Sequence, residues 1–272
     1  MYPRDIPRVF FLKKRGSAMS VSYHQLLHAI LDIGEDMQNS GAEISRVEDS
    51  VNRMCVGYGI RRVNTFTITS NMIVTLEIDD DTVITQTRRI RQGTTDFARL
   101  DQLNSLSRYI CAHAPSVAEI RRRYAAVSAP RPLPKPVSYL AAVMTAAAFA
   151  VFFGGGPRDA LAAGILALLI ETLMLLPLRR QANPILYLFA VSLLTGLGGI
   201  GLVRLGLGAH LDKILIGCIM LTIPGIAITN AIRDLLSGDT VSGLSRLCES
   251  LLQAAGIAGG FCLAIYLLGR GL

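Results

Sequence analysis

The chain has 272 residues, of which 51% are hydrophobic and 17% are charged, and its net charge is +7. This composition excludes a disordered chain, a collagen and a disulfide scaffold. The charges are unevenly placed, because 19 basic and 14 acidic residues precede Pro136, whereas 8 basic and 6 acidic residues follow it. The sequence therefore predicts a water-soluble first half joined to an apolar second half.

A basic tail, residues 1–19, begins the sequence and carries Arg4, Arg8 and Lys13–Arg15. No uninterrupted apolar segment follows it, so we do not expect a secretory signal peptide. Beside an apolar half of this kind, such a tail is expected to lie against anionic membrane lipid. Nucleic acid is not an expected partner, since aromatic residues are not interleaved with the basic ones on one face.

Residues 20–127 are predicted to form a small α+β domain. Apolar residues recur at helical spacing in 22–40 and 42–58. Gly41 ends the first predicted helix, and Gly57 and Gly59 end the second. The segment 62–78, rich in Thr, Val and Ile, predicts one strand or two, and 82–89 predicts another after a turn at Asp79–Asp81. Two further helices are expected over 98–112 and 117–124.

Two polar patterns in this domain resemble parts of metal sites. His24, His28 and Asp32 fall on one helix face, yet no fourth ligand is evident. Asp79–Asp81 lacks the glycine and the distal glutamate of a calcium loop. We therefore predict no metal and no cofactor. No nucleophile and base stand in a recognisable pattern, so the chain is not predicted to be an enzyme.

A proline-rich connection, residues 128–136, leads to the apolar half, residues 137–272. This half contains five apolar runs, each long enough or nearly so to cross a hydrocarbon core of about 30 Å as a helix. In a soluble protein, five such runs would leave no polar helices to cover them. The sequence therefore predicts a membrane protein with a bundle of five transmembrane helices, at about 137–157, 160–178, 183–203, 213–232 and 246–269.

Basic residues beside these spans predict the orientation of the chain. One set of connections carries most of them, namely Arg121–Arg123, Arg131, Lys135, Arg179, Arg180, Arg233 and Arg246. The opposite connections carry Arg158, Arg204, Lys213 and Arg270. The positive-inside rule therefore predicts a cytoplasmic N-terminal domain and a C-terminus outside the cytoplasmic membrane.

Two features of the apolar half are candidate parts of a substrate or proton pathway. An ionised carboxylate is costly within a span, so Glu171 faces a partner or an aqueous cavity, is protonated, or reaches Arg179 or Arg180 at the interface. In the fourth span, Pro224 lacks an N–H and Gly225 tolerates unusual dihedral angles, which predicts a kink or an opening. Such breaks are typical of transporter sites, although an ordinary proline kink is the alternative. The polar candidates around the break are Thr222, Thr229, Asn230 and Asp234.

Short motifs in both halves resemble those of the threonine/serine exporter family, specifically the longer component of its split form. The resemblance covers about residues 22–268. In the soluble half it rests on Ser40–Glu43, Arg46–Glu48, Thr69–Ser70, Thr87–Arg88, and Asp96 with Leu100 and Leu103, which makes Glu43, Glu48, Thr69, Ser70, Arg88 and Asp96 candidate functional residues. In the apolar half it rests on Pro224–Gly225, Asn230, Asp234, Gly238 and Gly243, and Glu171 matches none of the motifs.

The resemblance implies export of small polar metabolites across a bacterial cytoplasmic membrane, either threonine and serine or a dicarboxylate such as succinate. It also implies a second small membrane subunit, because fused members of the family have ten helices. We hypothesise that export is coupled to protons. The alternative hypothesis is a non-transporting regulatory or scaffold subunit whose cytoplasmic domain senses a ligand. The substrate, the coupling ion and assembly into a homo-oligomer are left open.

Overall fold

The computed structural model describes residues 22–79, 82–90, 95–129 and 133–269, apart from the side chain of Arg180. The predicted basic tail, Asp80 and Asp81 of the predicted turn, and two of the basic residues used for orientation, Arg131 and Arg270, lie outside these residues. Two groups of elements follow one another along the chain. We call them the N-terminal unit, residues 22–129, and the apolar half, residues 133–269.

The described part of the N-terminal unit contains two helices, a sheet and two further helices. The three strands are antiparallel and lie in the order β1-β2-β3. The segment 62–78 thus forms two strands, joined by a tight turn at Thr69 and Ser70. The elements are α1 (Tyr23–Asn39), α2 (Ile44–Gly57), β1 (Arg62–Ile68), β2 (Asn71–Glu77), β3 (Val83–Arg89), α3 (Phe97–His113) and α4 (Val117–Ser128).

The core of this unit lies between one face of the sheet and the helices. Successive side chains of a strand point to opposite faces, and accordingly Met72, Val74 and Leu76 of β2 are buried. They belong to one cluster with the apolar stripes of the helices, which include Leu26, Ile30, Val47, Val51, Leu103 and Ile110. The helical periodicity of 22–40 and 42–58 therefore predicts the buried faces of α1 and α2.

The apolar half contains α5 (Lys135–Phe152), α6 (Pro157–Leu175), α7 (Pro184–Arg204), α8 (Leu211–Ile219), α9 (Gly225–Leu236) and α10 (Thr240–Leu268). By length and composition, α5, α7 and α10 are three candidate membrane spans among the described residues. Helix α6 has 19 residues but also carries Arg158, Asp159 and Glu171. The chain is consistent with a membrane protein, and the bundle of five spans stays a prediction.

The fourth predicted span, 213–232, is not one helix. Helix α8 has 9 residues and α9 has 12, so at about 1.5 Å per residue neither crosses a core about 30 Å thick. Pro224, which has no N–H to donate, directly precedes α9. Gly225 has no positive φ and open space around it. The break that the sequence predicts is present, but Pro224 rather than the conformational freedom of Gly225 accounts for it.

Close helix packing connects the remaining elements of the apolar half. Helix α10 lies along α7, and α6 lies along α5. A Cβ atom added to Gly260 of α10 would lie 2.4 Å from the carbonyl oxygen of Phe189 in α7. Small residues thus let the two backbones approach each other, as they do in other apolar helix pairs.

Candidate functional site

Helix α9 lies against the N-terminal unit, and three of its polar residues contact one short segment of that unit. Asn230, Arg233 and Asp234 share a helix face because they are spaced i, i+3 and i+4. They meet the loop between α1 and α2 and the first turn of α2. We call residues 41–46 and 225–234 together the junction.

The loop between α1 and α2 owes its shape to Gly41. Gly41 has a φ of +97°, in the left-handed region that favours glycine. Hydrogen bonds from Ser40 N to Asp36 O at 2.9 Å and from Ala42 N to Met37 O at 3.0 Å close the end of α1. The Gly41 carbonyl then accepts a hydrogen bond from Asn230 Nδ2 at 3.2 Å. A turn in the N-terminal unit thus provides a docking point for α9.

Asp234 is 1% exposed and joins three helices. The backbone N–H of Ile44, the first residue of α2, donates to its Oδ1 at 3.5 Å. Its Oδ2 lies 3.4 Å from a guanidinium nitrogen of Arg246 in α10. Burial raises the pKa of Asp234, and Arg246 and the Ile44 N–H oppose this rise. The helix N-terminus carries partial positive charge, so it partly compensates the buried carboxylate.

A cleft of about 570 Å³ lies beside these contacts, next to the first turns of α2, α3 and α9. Arg233 forms an ion pair with Glu43, whereas Arg46 makes no hydrogen bond or ion pair with another described residue. Phe97, Leu100 and Ile226 contribute apolar surface. The cleft therefore brings one carboxylate, two guanidinium groups and an apolar wall together.

Helix α10 holds α9 from another side. A Cβ atom added to Gly243 would lie 2.6 Å from Leu235 Cγ and 2.8 Å from the carbonyl oxygen of Ala231. The absence of a side chain therefore lets α10 approach α9 closely, and Arg246, about one turn further along α10, reaches Asp234. The position of Asp234 in the junction thus depends on a glycine in the neighbouring helix.

The other candidate residues of the N-terminal unit lie within its own framework. The backbone N–H of Thr67 donates to Glu48 at 2.7 Å, and Arg88 forms an ion pair with Asp32 at 3.0 Å. Asp96 caps α3 by accepting from Arg99 N at 2.9 Å. Thr69 and Ser70 form the turn between β1 and β2. Of the six candidates in this unit, Glu43 alone lies in the junction.

Six candidates of the apolar half lie in α9 or in the break before it, and the seventh, Glu171, lies in α6. Thr229, Asn230 and Asp234 belong to the junction, and Pro224 and Gly225 lie where α9 begins. Thr222 stands in the break, where its hydroxyl donates to Ile219 O at 3.1 Å. Glu171 is elsewhere, in α6, and accepts a hydrogen bond from Ser138 of α5. Within the described residues no ion pair joins Glu171 to Arg179, and the side chain of Arg180 is not described, so both interpretations of Glu171 stay open.

Two acidic residues that each accept several hydrogen bonds, Asp36 and Asp159, were not predicted. Asp36 accepts hydrogen bonds from Arg99, from Tyr124 at 2.7 Å and from Ser128 at 3.0 Å. Asp159 is completely buried and accepts from the backbone N–H groups of Gly156, Ala209 and His210 and from the His210 ring. The sequence Gly-Pro-Arg-Asp at 156–159 is typical of a helix start with an acidic third residue. That signal could have identified Asp159, whereas the partners of Asp36 come from distant helices.

Comparison with known proteins yields one family. The family model for threonine/serine exporters, ThrE, matches residues 28–268 of the chain. The matched region begins within α1 and includes the remaining described elements of the N-terminal unit, the break between α8 and α9, and all of α10. No curated protein and no solved structure matches the chain.

Proposed function

The chain belongs to the threonine/serine exporter family, and we propose that it exports threonine and serine, or a small dicarboxylate such as succinate, from the cytoplasm. The observation that carries this proposal is the family match over residues 28–268, which includes both the N-terminal unit and the broken helix. Three candidate membrane spans support a multi-pass membrane location. The family is one of transporters, which agrees with the expectation that the chain is not an enzyme.

We infer that the N-terminal unit faces the cytoplasm and that the C-terminus lies outside the inner membrane. Support comes from the basic residues on the connections that this orientation places inside, including Arg179, Arg233 and Arg246. A labelling experiment tests it with single cysteines at two exposed positions, Ser237→Cys after α9 and Leu207→Cys before α8, after the five native cysteines are replaced by alanine. A membrane-impermeant thiol reagent applied to intact cells should label position 207 and not position 237; the reverse pattern would contradict the orientation.

In the proposed mechanism, the break between α8 and α9 is part of the solute pathway, and the junction is its cytoplasmic entrance. Thr222, Pro224 and Gly225 would form the break, and Thr229 and Asn230 would face the solute. Asp234, whose pKa burial raises, is the proposed proton-binding group at this end, and Glu171 is a second candidate. The backbone N–H and C=O groups at a helix break are suited to bind polar solutes, because in an intact helix these groups are already hydrogen-bonded to each other.

We further propose that a second small membrane subunit completes the transporter, as in the split form of the family. The candidate spans expose many large apolar side chains, such as Leu140, Phe152 and Tyr266, which are 62%, 77% and 67% exposed. Lipid or a partner helix would cover such surfaces. Self-association into a homo-oligomer is an outcome of the same test.

Efflux from proteoliposomes tests the proposed function. Vesicles containing the chain alone, its partner alone or both would be loaded with labelled L-serine, L-threonine or succinate. We expect efflux with both subunits, and faster efflux into an acidic outer buffer if protons move inward in exchange. Protein-free vesicles serve as the control. Equal efflux from all vesicles, with ligand binding by the chain retained, would instead favour the regulatory or scaffold subunit.

A further inference from the structure

We propose that the cleft at the junction is a binding site for a small carboxylate, which Arg46 and Arg233 hold after the ligand displaces Glu43 from Arg233. This inference rests on the proposed function for its physiological meaning, since it places the recognition of an exported acid at the N-terminal unit. The geometry of the cleft is independent of that function.

The size and lining of the cleft suit a small polar molecule. Its volume of about 570 Å³ falls within the range of roughly 300–1,000 Å³ that small-molecule sites occupy. Phe97 and Ile226 line it although they are 58% and 47% exposed. An apolar wall with a few convergent polar groups is the usual composition of such sites.

The charges of the cleft favour an anion. Arg46 and Arg233 contribute two positive charges and Glu43 one negative charge. Asp234 adds little to this balance because Arg246 and the start of α2 already face its carboxylate. A guanidinium group binds a carboxylate through two parallel hydrogen bonds, so arginine is well suited to such a ligand. Arg46 is available for this contact because no other described residue pairs with it.

Glu43 is the group that a carboxylate ligand would replace. The side chain of Arg233 is 53% exposed and that of Glu43 is 23% exposed. An ion pair so accessible to water contributes little to stability and is readily exchanged. Glu43 belongs to the N-terminal unit and Arg233 to α9, so ligand binding would open one of the contacts that hold α9 to that unit. The released Glu43 carboxylate could then face an ammonium group of the ligand.

The polar groups of α9 complete the site. The Thr229 hydroxyl donates to Gly225 O at 3.0 Å and keeps its lone pairs as acceptors. Asn230 donates to Gly41 O through Nδ2, which leaves its Oδ1 as an acceptor beside the cleft. An amino or hydroxyl group on the ligand would find acceptors at these two atoms. The chemical class is therefore a short carboxylic acid that also carries a hydrogen-bond donor.

Equilibrium binding to the full chain in lipid nanodiscs tests this site. L-Serine and L-serinamide differ in the carboxylate, and we expect serinamide to bind at least about tenfold more weakly, since a charged hydrogen bond is lost. Arg46→Gln should weaken L-serine binding by a similar factor. Arg53→Gln is the matched control, because Arg53 lies on the same helix outside the cleft and pairs with Asp49. Equal affinity of the two variants for serine, or no binding by the wild type, would overturn the proposal.

Succinate distinguishes the role of Glu43. Glu43→Gln frees Arg233 and removes a negative charge, so succinate should bind about tenfold more tightly. L-Serine should gain less, because its ammonium group loses a partner. Weaker succinate binding by Glu43→Gln would contradict the exchange of partners. Binding and efflux together separate this inference from the proposed function: unchanged serine binding by Arg46→Gln, with wild-type efflux present, would refute the site alone, whereas Arg46-dependent binding without wild-type efflux would refute export alone.

Discussion

At the scale of single residues, burial rather than ion pairing sets the direction in which the pKa of Glu48 is shifted. Its carboxylate accepts a hydrogen bond from Thr67 N at 2.7 Å and so ties α2 to β1. Burial raises the pKa of Glu48 above its ordinary value of 4.5, and the Thr67 hydrogen bond only partly opposes this. The folded chain therefore holds a proton at pH values where the unfolded chain has released it. As a result, stability falls as the pH rises from about 4.5 through the raised pKa.

The variant Glu48→Gln tests the direction of this change in stability with pH. The glutamine keeps an oxygen that can accept from Thr67 N and carries no charge, so the variant should melt at a higher temperature than the wild type at pH 7. We expect a gain below about 1 kcal/mol, given the partial exposure of the site, and no gain near pH 4. Thermal unfolding of the full chain at both pH values measures it. A lower melting temperature at pH 7 would show that the charge itself stabilises the unit.

Glu119→Gln is a contrasting control. The side chain of Glu119 is 28% exposed, and its hydrogen bond with Arg123 lowers the pKa of Glu119. Its contribution to stability is therefore present above the unfolded pKa of about 4.5 and disappears as the pH falls through the lowered value. The variant should be slightly less stable than the wild type at pH 7, and this difference should shrink as the pH falls below about 4.5, which is opposite in sign to Glu48→Gln.

At the scale of elements, the helices and strands of the N-terminal unit follow from the periodicity of the sequence. Helix α1 was expected over 22–40 and lies at Tyr23–Asn39, and β3 was expected over 82–89 and lies at Val83–Arg89. The break before α9 follows from Pro224, whose missing N–H acts locally. The junction could not be predicted in this way, because Asp234 and Ile44 are 190 residues apart in the chain. The cleft that Arg46 lines could not be predicted either, because it forms only where α9 packs against the N-terminal unit.

The packing of α9 on α10 leads to a prediction at two glycines. Gly243→Ala places a Cβ atom 2.6 Å from Leu235 Cγ and should force the helices apart, at a cost of about 1–3 kcal/mol. Gly225→Ala meets nothing within 4 Å and has no positive φ to strain, so it should be neutral or slightly stabilising. Thermal unfolding of both variants checks this. A destabilised Gly225→Ala would mean that α9 starts in a conformation only glycine adopts.

At the scale of the whole molecule, two buried aspartates hold the broken helix at its two ends. Asp159 accepts from Ala209 N at 2.7 Å and His210 N at 2.9 Å, where α8 begins. Asp234 ties α9 to the start of α2. Each carboxylate faces backbone N–H groups at a helix N-terminus, where partial positive charge favours an anion. The broken helix is therefore fixed to α6 at one end and to the N-terminal unit at the other.

This arrangement predicts that Asp234→Asn loosens the N-terminal unit from α9. Burial raises the pKa of Asp234 as it does that of Glu48, but Asp234 also faces Arg246, whose side chain is 16% exposed. The variant leaves this buried guanidinium without its carboxylate, which costs more than the removed charge gains, and it weakens the contact with Ile44 N. A loss of about 1–3 kcal/mol would raise amide hydrogen exchange at residues 41–46 about 5- to 150-fold. Asp159→Asn is the matched control: it also removes a buried charge and should lower the melting temperature, but it should leave exchange at 41–46 unchanged. Equal exchange at 41–46 in the two variants would show that Asp234 contributes only general stability and does not couple the two halves of the chain.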